Sequence, residues 1–122
     1  MSMRSSVVDQ LKGELPSSWV IVDDERALNV ISKPTVIVSM RSLAPSDFAP
    51  LHNITVTIAL LLLSPHTDAS KAEDQLDDLI VTTLAAFQNL SGLTWTDATK
   101  IVHMDRYMGY EITTEATATL GD

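Results

Sequence analysis

From residue 52 the chain alternates. Ile54, Val56, Ile58, Leu60 and Leu62 fall on one side of an extended segment, and Asn53, Thr55 and Thr57 fall on the other. Ala59, Leu61 and Leu63 then make the second side apolar as well. A strand with one polar face that turns apolar on both faces is expected to start near an exposed edge and run under a covering layer. That layer is either a helix or another subunit. Ser64-Pro65-His66-Thr67-Asp68 supplies a turn, and Leu76, Leu79, Ile80, Leu84, Phe87 and Leu90 follow at helical spacing. The spacing predicts a helix of about 20 residues. Ser70 and Glu73 have the form of a capping box, Asp68 competes as the cap, and Gly92 is placed to end the helix.

The flanking segments follow the same logic. Val7, Val8, Leu11 and Leu15 predict an N-terminal helix, capped by Ser2 or Ser5 and stopped at Pro16. The WVIV run at 19–22 predicts a short strand, and TVIVSM at 35–40 a longer one. Residues 25–31 fit either a helical turn or a loop. SLAPSDFAPL, with Pro45 and Pro50, predicts a connection of roughly ten residues, long for a hairpin. Two strands follow the long helix, at 94–104 and 107–119, with Asp105-Arg106 between them. In the last strand Tyr110, Ile112, Thr114 and Ala116 alternate with Glu111, Thr113, Glu115 and Thr117. The order predicts an α+β fold: an antiparallel or mixed sheet of about four to five strands, flanked by an N-terminal helix and a long central helix. One domain is expected over residues 1–122, without repeats or linkers.

Composition narrows the chemistry. Sixteen acidic side chains against eight basic ones leave a net charge of −8, which disfavours broad contact with a phosphate backbone. The chain has no cysteine, excluding disulfides, thiolate metal sites and a Cys nucleophile. The apolar run at 54–63 is half of the about 20 residues a membrane span needs. The N-terminus lacks the apolar core of a signal peptide, with Asp9 where apolar residues are required.

Catalytic signatures are missing. Asp74, Asp77 and Asp78 share a helix face and suit a hard cation, but no loop of alternating ligands accompanies them. A solvated face near the positive end of the helix dipole is the simpler account. His52, His66 and His103 are scattered, outside any metal-ligand spacing. There is no nucleophile elbow around a serine, and the four glycines build no phosphate loop. Trp19 and Trp95 are core or interface anchors. No catalytic, cofactor-binding or metal-binding residue is assigned.

Several stretches together carry a resemblance. They are DDER at 23–26, KPTVIVS at 33–39, LLSPHTD at 62–68, AEDQLDDL at 72–79, LTWTDA at 93–98 and YMGYEITT at 107–114. In this order, over residues 7–119, the chain resembles the small tail terminator proteins of long-tailed bacteriophages, particularly those infecting actinobacteria. The resemblance implies a structural virion protein of the tail-neck region, not an enzyme and without a cofactor. It implies a homo-hexameric ring that caps the tail tube, stops its polymerisation and offers a surface for head attachment. The implied partners are further copies of the chain, the major tail tube protein and a head-completion or neck protein. DNA would pass through the ring without specific binding, which the acidic charge suits. A head-closure or tail-completion factor is the nearest alternative, and a small-ligand or metal-binding enzyme module the more distant one.

A ring closed by one kind of contact joins two different patches of the same chain. The expected interface residues are Arg41, Leu43, Phe48 and Leu51 in the Pro-flanked loop, Leu61 and Leu63 on the long strand, and Thr113 and Thr117 on the last strand.

Overall fold

The computed structural model describes residues 3–23, 31–45, 53–90 and 92–119. Five strands, β1 (Val20–Val22), β2 (Thr35–Pro45), β3 (Asn53–Leu63), β4 (Leu93–His103) and β5 (Tyr107–Thr119), form one sheet in the order β1-β2-β3-β5-β4. β1 runs parallel to β2 and all other pairs are antiparallel, so the sheet is mixed. Helix α1 (Met3–Glu14) packs near β1 and β2, and α2 (Ala69–Ala86) packs near β3 and β5. The fold is α+β, as the alternation of elements predicts.

β3 takes the middle of the sheet because its second half is apolar on both sides. Ile58, Leu60 and Leu62 point toward the helices and are fully buried with Val36 and Val38 of β2 and Ile112 of β5. Val7, Val8 and Leu11 of α1 and Leu76 and Leu79 of α2 close this core from above. Leu61 and Leu63 point the other way into a smaller cluster with Ile31, Ile37 and Tyr107. The Tyr107 hydroxyl accepts the Ile31 backbone N–H at 3.2 Å, fixing that cover in place. The covering layer on the second side is therefore the chain's own segment at Ile31 together with Tyr107. Among the described residues this cover is completed by Ile37, Val22 and Ile101.

Two local devices set the frame. Asp68 is the N-cap of α2, its carboxylate accepting the Lys71 N–H at 3.0 Å, so the competition with Ser70 goes to Asp68. The helix ends in a 3₁₀ turn, Phe87–Asn89, whose Asn89 amide donates to Glu14 at 3.3 Å and ties the ends of the two helices together. Gly92 adopts φ +78°, beyond the turn and just before β4. In the ladder, Gly109 lies against the Leu62 carbonyl, where a Cβ has no room.

The structure departs from the sequence reading at β2. The strand continues to Pro45, through residues assigned above to a connection. A bulge at Arg41, between Met40 and Ser42, lets Ser42, Leu43 and Ala44 pair with Thr57, Val56 and Thr55. Among the described residues this part of β2 has a strand neighbour on one side only, a position that tolerates a proline. The ambiguous segment at 25–31 lies outside the described residues except for Ile31. The turn between β4 and β5 spans Met104–Arg106, with Met104 and Asp105 both at positive φ.

Candidate functional site

The register sorts the described members of the expected interface onto faces. Arg41 is exposed, and its guanidinium reaches across β3 to Glu111 of β5 at 3.0 Å. Thr113 is half-buried and Thr117 exposed, both on the face away from α1 and α2 with Glu111 and Glu115. Leu43 goes to the opposite face: its cross-strand partner Val56 belongs to the helix-covered core, yet Leu43 itself is 59% exposed. Phe48 and Leu51 lie outside the described residues. Leu61 and Leu63, 4% and 0% exposed, are removed from the candidate surface, because the chain's own Ile31, Ile37 and Tyr107 fill the space against them.

The face away from α1 and α2 is graded among the described residues. At the Ile31 end it is apolar and closed, and further along β3 it becomes a polar grid. There Thr57 pairs with Glu115, which pairs with Thr94, and Ala59 pairs with Thr113, which pairs with Asp97. Asp97 accepts from the Thr99 hydroxyl at 2.8 Å. Among the described residues no group of three or more His, Asp or Glu is placed to hold a metal ion, and Asp74, Asp77 and Asp78 are all exposed. His66 lies in an exposed turn, His103 has a shielded Nε2 with no hydrogen-bond partner, and His52 is outside the described residues.

Sequence periodicity gave no hint that the exposed apolar residues would gather at the two ends of the sheet, on the helix side. At one end α2 covers β5 and meets β4 at the Glu73–Lys100 ion pair, 3.4 Å, leaving part of the helix side of β4 open. Its helix-side residues Trp95 and Val102 are 41% and 61% exposed. Between this open part and the flank of α2 runs a groove of about 640 Å³, lined by Val81, Leu84, Phe87, Leu90, Leu93 and Trp95. At the other end β1 pairs only with Thr35, Val36 and Ile37, so the rest of β2 has no strand on that side among the described residues. There Met40 and Leu43 are 38% and 59% exposed, and both are paired with β3 residues of the helix-side core.

Charge is divided the same way. Among the described residues, the segments that supply α1, β1 and β2 hold four Lys or Arg against three Asp or Glu. The described residues from Asn53 to Thr119, which supply the rest of the sheet and α2, hold three against nine. Among the described residues the β1–β2 side is close to neutral, and the rest of the sheet with α2 carries the acidic excess.

No protein-family model matches this chain, and no curated protein matches it. Among the described residues no helix is long and apolar enough to cross a membrane.

Proposed function

We propose that this chain is a structural ring subunit of the tail terminator kind. In this reading about six copies join head to tail, cap the tail tube in the neck of a virion and let DNA pass without adhesion. One observation carries it: the sheet ends in two unlike edges, each with exposed apolar residues on the helix side, one near-neutral and one acidic. Two unlike patches on one chain are what a closed ring of identical contacts requires, whereas a two-fold dimer uses one patch twice. The residues contribute no reaction in this reading. Native mass spectrometry of the purified chain, alone and with tail tube protein, tests it. A species of about six copies, or a cap of that size on the tubes, is the expected result. A chain that stays monomeric in both settings refutes it, and co-purification with a portal-side adaptor in place of tube protein moves the assignment to head closure.

A further inference from the structure

The structure has a seat at one edge and a candidate occupant at the other. The seat is the groove beside β4, with Val81 on the α2 flank 66% exposed and Trp95 on the strand 41% exposed. A groove with an exposed tryptophan on one wall and aliphatic side chains on the other fits one or two apolar side chains. Met40 and Leu43, at the far edge of the same sheet, are such a pair, and they point to the same side of the sheet as the groove.

We infer that the outer half of β2 from a second copy seats in this groove, with Leu43 and Met40 of the incoming copy packed against Trp95 and Val81. The inference rests on the ring reading and names its contact. A neighbour laid edge to edge in the same orientation keeps its helix layer on the same side. Its Leu43 then arrives at the level of the groove and not on the polar face. Charge disfavours one alternative. Joining two β4 edges would bring together two halves whose described residues hold three Lys or Arg against nine Asp or Glu, while joining β4 to β2 sets that half against one holding four against three. Arg41 also lies on the incoming edge, near where exposed Asp97 lines the receiving one.

The contact is made by side chains more than by ladder hydrogen bonds. β2 carries its bulge at Arg41, and β4 carries one between Trp95 and Asp97, where the Thr96 hydroxyl turns back to the Thr113 carbonyl at 3.3 Å. Irregular edges of this kind resist continuous strand pairing.

The absence of native cysteine makes the contact directly readable. The test is a double variant, Leu43→Cys with Val81→Cys, oxidised at a concentration where the wild-type chain assembles. Both positions are well exposed, so the fold is retained. A disulfide forms only where the Cα atoms approach within about 7 Å. The expected result is a ladder of covalent multimers from the double variant, and monomers from each single variant. Met40→Cys with Trp95→Cys reads the same seat one position away. Rings from the wild-type chain with no ladder from either pair overturn the seat and leave the ring intact. Covalent dimers from a single variant mean a two-fold contact and overturn it, as does cross-linking of Val81→Cys to tube protein alone. Failure of the wild-type chain to assemble at all, alone or on tubes, refutes the ring reading itself.

Discussion

Replacing Leu63 by alanine separates a core face from an assembly face. Leu63 is 0% exposed on the side of the sheet away from α1 and α2, and Leu60, also 0% exposed, faces both of these helices. If the Ile31–Tyr107 cover belongs to the folded monomer, the two truncations are equivalent. Each removes about three buried methylene equivalents, worth about 2.4 kcal/mol at about 0.8 kcal/mol apiece. The unfilled space adds to this and brings the loss to about 3–4 kcal/mol. A domain of this size has about 5–15 kcal/mol to lose, so both variants stay folded, with thermal midpoints about 12–16 °C lower. Thr57→Ala, on the same strand and face but half-buried, is expected to change stability by less than about 1 kcal/mol. The assay is urea unfolding followed by far-UV circular dichroism, at a concentration where sedimentation shows monomer. A loss below about 1 kcal/mol for Leu63→Ala beside about 3 kcal/mol for Leu60→Ala would refute the reasoning. It would mean that the second cluster forms only on assembly and that Leu63 belongs to an interface after all.

Gly109→Ala places a Cβ against the Leu62 backbone oxygen and 2.7 Å from Leu63 Cδ2, and a loss of about 3 kcal/mol by urea melt is expected. Gly13→Ala is its control: nothing lies within 4 Å of the new methyl, and the helix should gain about 0.5 kcal/mol. Asp68→Ala leaves the Lys71 N–H without its acceptor and should lower stability by about 1 kcal/mol in the same measurement, with Asp68→Asn recovering most of it. Met104→Asn with Asp105→Gly relieves two side-chain-bearing residues at φ 55° and 59°, and a rise in melting temperature of about 4 °C is expected by scanning calorimetry.

The strands and helices were legible where one period dominated. The alternation through Ile54, Val56, Ile58, Leu60 and Leu62 gave both the extent of β3 and its helix-side face, and the spacing from Leu76 to Leu90 gave α2. β2 was read short because prolines and small residues signal a loop, and only pairing with β3 across a bulge carries Ser42–Ala44 into the sheet. The burial of Leu61 and Leu63 was illegible for a different reason. Two apolar faces require two covers, but the second cover comes from Ile31 and Tyr107, distant in sequence and marked by no periodicity. The groove beside β4 was equally hidden, since it arises from the offset of α2 from the sheet's edge. Trp95 alone hinted at it, as a large aromatic on a strand otherwise rich in polar residues.

The edges bear on how a chain of this kind avoids assembling too far. A sheet with open strands at both ends can add copies indefinitely if backbone pairing is the contact. Here the free part of β2 and the free edge of β4 are both bulged, so regular pairing is interrupted at each, and the exposed apolar side chains are left to make the join. Side chains seated in a groove fix the angle between neighbours more narrowly than a ladder that tolerates slippage, and a fixed angle is what separates a closed ring from an open filament. The excess negative charge acts in the same direction. Each added copy brings −8, and repulsion weakens the growing assembly unless every copy can satisfy both of its edges. Salt therefore acts on assembly more than on the fold: screening between copies favours addition, while the buried contacts of β3 are indifferent to it. A ring whose formation is promoted by moderate salt, at unchanged monomer stability, is the behaviour this division of labour requires.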